Sequence, residues 1–203
     1  PKMTMLAFSA AVEPLRIANQ LTGKCLYRWY LLSEDGCPVR CSNAVSIVVD
    51  GGLSETKTGD TVFVCSGVDG YLAAAAKGFI RNRFNLALRA EPTAWRPQVE
   101  TFPLDRERIR SANHPLLTCN TVKFFADGVF GSQTALVSEP YLTTNHHGEA
   151  TWRLDEFKIA IALAHENGFQ IHVHAIGDAA TDMTLGVLEE LKEFSYPPVI
   201  AHA

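Results

Sequence analysis

Residues 168–178 read Gly-Phe-Gln-Ile-His-Val-His-Ala-Ile-Gly-Asp, and this stretch decides the fold class. Its polar and apolar residues alternate over Gln170–His174, which predicts a β-strand followed by a glycine turn. A helical pattern at 154–167 precedes the strand, and a second helix is predicted after it, with Asp178 positioned as its cap. The stretch therefore predicts a strand held between two amphipathic helices.

The residues on either side extend this pattern into a larger α/β unit. Strands are predicted at 84–88, 121–125 and 199–202, and a short charged helix at 105–112. An order of strand, helix, strand, helix, strand is typical of consecutive βαβ units and a parallel sheet.

The first third of the chain has a different texture. Residues 5–20 predict a helix that Pro14 either kinks or reopens. The alanine-rich segment 71–78 also suits a helix. Short β-branched or aromatic runs predict strands at 28–33, 45–50 and 61–65. We place a domain boundary near residue 77, which gives segments 1–77 and 78–203.

Composition excludes several classes of function. The formal net charge is −4 and no basic stripe is present, so nucleic acid is not expected as a partner. Five cysteines without C-x-x-C spacing argue against a disulfide framework or a zinc ribbon and favour a reducing cytoplasm. No apolar run is long enough to span a bilayer, so we expect neither export nor membrane insertion.

Two histidines close predicted strands of the parallel sheet. His174 and His202 would both lie at the carboxyl rim, where they could share a metal such as zinc. The alternative is a pair of ordinary core or surface histidines. His172 lies on the same side of its strand as His174 and is predicted to be a deeper residue, although both could contact the metal. The pair at 146–147 is predicted to lie in a loop, with substrate contact as the alternative.

Lys123 is an unusual residue for an apolar strand. An unpaired ammonium is costly to bury and tends to lose its charge. Lys123 therefore either faces solvent at an edge or points into a barrel mouth, where a neutral amine could bind carbon dioxide and bridge metals.

The second segment resembles the amidohydrolase superfamily, in particular its YtcJ-like metal-dependent hydrolases. The motifs that carry the resemblance are Val122-Lys123-Phe124-Phe125-Ala126-Asp127-Gly128, Gly131-Ser132-Gln133-Thr134-Ala135, Glu139-Pro140-Tyr141, the stretch 168–178 and Ile200-Ala201-His202-Ala203.

This resemblance implies part of a distorted TIM barrel that hydrolyses amide or related carbon–nitrogen bonds with a metal-activated water. Lys123 would be the carboxylated lysine, and His174 and His202 would be ligands from the next two strands. The family also uses an H-x-H on its first strand and an aspartate on its last. Neither is found here, so we expect the chain alone to be catalytically incomplete.

Residues of about 3–70 resemble the PfpI-type, amidotransferase-like sensory domain of AraC-type transcription regulators. The motifs are Met5-Leu6-Ala7, Ala11-Val12-Glu13-Pro14-Leu15-Arg16-Ile17-Ala18-Asn19, Tyr27-Arg28-Trp29, Leu32-Ser33-Glu34-Asp35-Gly36, Pro38-Val39-Arg40 and Val62-Phe63-Val64-Cys65-Ser66-Gly67. The resemblance implies a flavodoxin-like sheet, with Glu13 as the acidic residue of its first helix or as a plain surface glutamate. Cys65 is expected to be a small buried residue, not the nucleophile of the catalytic relatives.

The prediction from sequence is thus an α/β chain in which two incomplete pieces are fused: a flavodoxin-like fragment, then a partial TIM barrel. The leading function is a metal-dependent amidohydrolase fragment with a divalent metal, zinc, at Lys123, His174 and His202, and a small amide or amine substrate. The alternatives are a ligand-sensing regulator domain without its DNA-binding part, and a folded body without activity. Open strand edges favour homo-oligomers.

Overall fold

The computed structural model describes residues 5–41, 44–57, 60, 67–191 and 193–203. The chain divides into two compact units, Pro1–Arg81 and Asn82–Ala203. The assignment of segments 1–77 and 78–203 to two different families' domains stays a prediction. Among the described residues, no helix has both the length and the apolar character needed to cross a membrane.

Among the described residues of the first unit, the backbone forms two helices and four two-residue strands. Its elements are α1 (Met5–Thr22), β1 (Leu32–Ser33), β2 (Val39–Arg40), β3 (Ser46–Ile47), β4 (Gly51–Gly52), a 3-10 turn (Leu53–Glu55) and α2 (Val68–Ala76). Strand β1 pairs with β4 in parallel, and β2 pairs with β3 antiparallel.

The first unit confirms the predicted helices more fully than the predicted strands. Helix α1 runs unbroken through the predicted 5–20, and the alanine run lies in α2. The strands expected at 28–33 and 45–50 are wrong in length, because only Leu32–Ser33 and Ser46–Ile47 form strand ladders. The strand expected at 61–65, with Cys65, lies outside the described residues.

The second unit is built on a parallel sheet of four strands in the order β5-β6-β7-β8. The strands are β5 (Phe84–Arg89), β6 (Leu117–Phe125), β7 (Gln170–His174) and β8 (Val199–Ala201), connected through α3 (Trp95–Ser111), α4 (Leu154–Glu166) and α5 (Asp178–Glu189). This confirms a mixed α/β fold with parallel strands. The flavodoxin-like and partial-barrel details remain predictions.

Helix α3 is longer than the predicted 105–112. It begins ten residues earlier and contains Pro103 in its interior. Burial of Trp95, Val99 and Phe102 against the core offsets the hydrogen bond that the proline removes.

The sheet has one apolar and one polar face. Val122, Phe124, Ile171 and Val173 have no exposed surface and belong to the core under the helices. Their neighbours along each strand point to the opposite face, because strand side chains alternate. That second face carries Lys123 of β6 and His172 and His174 of β7.

A row of polar side chains crosses the polar face near the amino ends of the strands. Asn85 Nδ2 donates to Thr121 Oγ1 at 2.7 Å, and Thr121 Oγ1 donates to Gln170 Oε1 at 3.0 Å. Gln170 Nε2 donates in turn to the Pro197 carbonyl at 3.0 Å. We call Asn85, Thr121 and Gln170 the polar ladder; it joins β5, β6 and β7.

Candidate functional site

The carboxyl rim of the sheet places the predicted site residues on one face. The register pairs Lys123 with His172, and Phe125 with His174. It also pairs His174 with Ala201, the residue before His202. Lys123 and His172 therefore lie one step deeper in the polar face than His174.

His174 is buried. Its ring lies 4.9 Å from the Phe125 ring and 5.1 Å from the His202 ring, measured between centroids. Its Nε2 lies 2.9 Å from the Gly128 carbonyl oxygen. Because a carbonyl oxygen can only accept, Nε2 carries the proton in the neutral ring and Nδ1 keeps the lone pair.

His202 is exposed and directly follows β8. Its backbone φ of +77° lies in the left-handed region, which turns the chain at the strand end. Two imidazoles bound to one tetrahedral zinc at about 2.0–2.1 Å have ring centres about 5 Å apart. The separation of the His174 and His202 rings matches this value.

Lys123 is partly buried, and its Nζ lies 5.2 Å from the centroid of the Phe125 ring. Burial lowers the pKa of its amine. The pKa of His172 is also lowered, first by burial and then by the charges of Lys123 and His202. The amine and three imidazoles thus share one region of the polar face, which disfavours additional positive charge there.

The donor set fits part of a metal site. Within the described ranges, no three His, Cys, Asp or Glu side chains are grouped closely enough to hold a metal ion. His174 and His202 can supply two imidazoles, and Lys123 becomes a ligand only if its amine is neutral or carboxylated. The residues therefore fit a divalent metal with two nitrogen ligands from this chain.

Asp127 is a central residue of the rim that sequence reasoning missed as a functional candidate. Its carboxylate is fully buried and accepts backbone N–H groups from Leu136, Ile176 and Gly177. Its Oδ1 also lies 3.7 Å from His174 Nε2. The available signal was an aspartate that closely follows a buried strand and directly precedes a glycine.

The other histidines and Glu13 lie in ordinary surroundings. His146 and His147 are exposed in the loop after β6, where both rings bond to nearby backbone groups; this confirms the predicted loop. Glu13 is exposed and forms an ion pair with Arg16 on the same helix at 2.8 Å, as a surface glutamate does. Asp178 is the first residue of α5 and Gly177 its cap, so the predicted cap is wrong by one position.

The second unit is thus a parallel α/β sheet with two imidazoles, those of His174 and His202, close together at its carboxyl rim. The sequence matches the amidohydrolase family (Amidohydro_3) over residues 34–198, most of the chain. The chain belongs to the amidohydrolase family. The match begins within the segment whose motifs resemble the regulators.

The curated relatives include a putative amidohydrolase and transcriptional regulators. The putative amidohydrolase YtcJ of Bacillus subtilis is 36% identical over 91 residues, which cover 41% of this chain and 16% of that protein. The HTH-type transcriptional regulator CdhR of Pseudomonas aeruginosa is 46% identical over 69 residues, which cover 34% of this chain and 20% of that protein. These matches span a fifth or less of the relatives' length. They confirm both resemblances.

Among solved structures, an uncharacterized metal-dependent hydrolase from Pyrococcus furiosus is similar, with 29% identity and a TM-score of 0.47. The similarity covers 61% of this chain and 25% of that one. Membership of the amidohydrolase family supports a divalent metal cofactor.

Proposed function

We propose that residues 78–203 form part of an amidohydrolase barrel and that Lys123, His174 and His202 belong to its metal site. The metal we propose is zinc, and the substrate class is a small amide or amine-type molecule. A divalent metal at such a site supplies Lewis acidity toward a carbonyl group. The observation that carries the proposal is the 5.1 Å separation of two strand-end imidazoles that are 28 residues apart in sequence.

The second-sphere contact of His174 supports the same proposal. Metal-ligating histidines usually donate their other ring N–H to a carboxylate or a backbone carbonyl, which orients the ring. His174 has this arrangement, because its Nε2 lies 2.9 Å from the Gly128 carbonyl oxygen and 3.7 Å from Asp127 Oδ1.

The proposal concerns metal binding rather than turnover by this chain alone. The described residues offer two imidazoles as ready ligands, one fewer than the three protein ligands of a catalytic zinc site, because the Lys123 amine binds a metal only when it is neutral or carboxylated. A cytoplasmic location and homo-oligomers complete the proposal. Within the described sheet, β5 and β8 pair on one side only, which leaves backbone groups for another chain.

Zinc titration tests the site. We expect the native chain to bind Zn²⁺ near one equivalent in equilibrium dialysis, and His174→Ala or His202→Ala to weaken binding at least about tenfold. His165→Ala is the matched control, because its ring packs on Phe194 at the end of α4. Equal binding by all four proteins would refute the metal site.

A second candidate function applies to the first segment, and the identity to the transcriptional regulators favours it. We propose that residues 1–77 derive from a flavodoxin-like ligand-sensing domain of such a regulator. Saturable binding of a small amine or amino-acid-like ligand by metal-free protein, retained in His174→Ala, would support it. Absence of binding across a panel of such ligands at millimolar concentration would count against it.

A further inference from the structure

We propose that Asp127 is a positioning residue that holds the His174 imidazole in the tautomer with Nε2 protonated and Nδ1 free. The tautomer does not depend on the proposed function. Only the identification of a metal ion as the ligand of Nδ1 rests on it. The geometry that carries it lies entirely in the second unit and involves the two loops that follow β6 and β7.

The first step is the fixation of the carboxylate itself. Asp127 Oδ1 accepts from Ile176 N at 3.0 Å, and Oδ2 accepts from Gly177 N at 2.8 Å and Leu136 N at 2.9 Å. A buried carboxylate is costly unless hydrogen bonds replace its hydration. Here three backbone amides from two loops replace it, so the position of the carboxylate is set by both loops.

The second step is the close approach of the two loops at Gly177. A Cβ on Gly177 would lie 1.8 Å from the Leu136 carbonyl oxygen, and a Cβ on Gly128 would lie 2.0 Å from Thr134 Oγ1. Both distances are shorter than any real contact. At Gly177 the main chains of the two loops therefore approach each other as closely as glycine allows, whereas Gly128 packs against a side chain of its own loop.

The third step connects Asp127 to the ring. Gly128 follows Asp127 directly, so the anchored carboxylate also anchors the peptide whose carbonyl oxygen lies 2.9 Å from His174 Nε2. The Asp127 Oδ1 atom, 3.7 Å from the same nitrogen, adds a negative charge beside it. Both groups favour a proton on Nε2 and leave the lone pair on Nδ1.

A merely structural carboxylate makes a different prediction from a positioning one. If Asp127 served only to join the loops, its replacement would lower stability without changing the tautomer of His174 in molecules that remain folded. If it positions the ring, replacement by the isosteric asparagine must shift the tautomer ratio. The amide keeps one acceptor oxygen but places an N–H₂ group where a backbone N–H now donates.

The test is long-range ¹H–¹⁵N NMR of the metal-free full chain, with ¹⁵N-labelled histidine, at pH 8. The signals of His174 are identified by their loss in His174→Gln. We expect the native ring to show a pyrrole-type Nε2 and a pyridine-type Nδ1. In Asp127→Asn we expect the ratio of Nε2–H to Nδ1–H tautomers to fall about tenfold.

Asp178→Asn is the matched control. Asp178 is also a loop-anchoring carboxylate, because it accepts from the Ser138 backbone N–H and hydroxyl, but these two bonds do not involve His174. We expect the tautomer ratio of His174 in Asp178→Asn to equal that of the native chain. Should Asp127→Asn fail to fold, Asp127→Glu takes its place, since it keeps the charge but displaces it by one methylene.

The possible outcomes distinguish the positioning role of Asp127 from the proposed metal site. A native His174 with Nδ1 protonated, or a folded Asp127 variant with the native tautomer ratio, overturns the proposal. Failure of Zn²⁺ to bind while the tautomer behaves as expected removes the proposed metal site and leaves the positioning role intact. Loss of the tautomer effect with Zn²⁺ binding retained removes the positioning role alone.

Discussion

Replacing Gly177 with alanine should destabilise the second unit, because the added methyl group would collide with the main chain of the loop after β6. The new Cβ would lie 1.8 Å from the Leu136 carbonyl oxygen and 2.4 Å from its carbonyl carbon. The φ of Gly177 is −73°, which alanine adopts without strain. The loss of stability would therefore report the contact between the loops rather than the backbone conformation.

The expected loss of stability follows from the displacement of Leu136 that the added methyl group requires. To reach a separation of 3.0 Å, below which real Cβ contacts are not seen, Leu136 must retreat by more than an ångström. Overpacking of this kind costs about 1–3 kcal/mol. The retreat also breaks the Leu136 N–H bond to the Asp127 carboxylate, a bond to a charged group that contributes about 1.5–3 kcal/mol. We expect a total loss of about 4 kcal/mol.

Gly186→Ala is the matched control with the opposite sign. Gly186 lies inside α5, and a methyl group added there would have nothing within 4 Å. Alanine at this position should raise the free energy of unfolding by about 0.5–1 kcal/mol through helix propensity.

Urea denaturation measures both substitutions. Trp95 and Trp152 are buried in the second unit, so their fluorescence reports its unfolding once Trp29 is replaced by phenylalanine in every protein. With a denaturant slope of about 2 kcal/mol per molar, Gly177→Ala should lower the urea midpoint by about 2 M. An unchanged or raised midpoint for Gly177→Ala would show that the loops do not meet as described.

Three further predictions concern the core, the polar face and the thiols. Phe157→Ala removes a fully buried ring and should cost about 3–5 kcal/mol in the same urea assay; a loss below about 1 kcal/mol would contradict the packing. The imidazole of His172 should titrate by NMR with a midpoint below 6.5, and Lys123→Met should raise that midpoint, because the lysine charge contributes to lowering the pKa. Because the pKa of His172 is lower in the folded chain, the unfolded chain binds this proton more readily. The free energy of unfolding should therefore fall as the pH drops from 6.5 through the lowered pKa. If replacing His172 leaves the pH dependence of the free energy of unfolding unchanged, this prediction is wrong. Burial raises the pKa of Cys119 to about 11, so a thiol reagent at pH 8 should modify it at least about 100-fold more slowly than the exposed Cys25; equal rates would disprove its burial.

The rim histidines show what the sequence could predict. Alternation along β7 puts His172 and His174 on one face, and the βαβ order makes β8 the neighbour of β7. These two rules together predict that His174 and His202 approach each other, and their rings lie 5.1 Å apart. Both rules need only the pattern of consecutive elements in the sequence, so that pattern was sufficient to predict the proximity of the two histidines.

Asp127 shows what the sequence could not predict. Its three donors come from positions 9, 49 and 50 residues further along the chain, and all are backbone groups whose residue types carry no signal. The strands of the first unit fail for a related reason. A β-branched run such as that at 45–50 becomes a strand only where another backbone continues the hydrogen-bond ladder, and here the ladder is limited to Ser46–Ile47.

The polar ladder has a consequence for how β6 finds its place between β5 and β7. A shift of β6 by one residue would turn Lys123 toward the helices and expose Val122 and Phe124 to water. The same shift would also detach the Thr121 hydroxyl from Asn85 and Gln170, whose amides would lose their shared partner. The hydrogen bonds of the polar ladder thus help to fix the register of β6, and that register determines where Lys123 lies relative to the histidines of the rim.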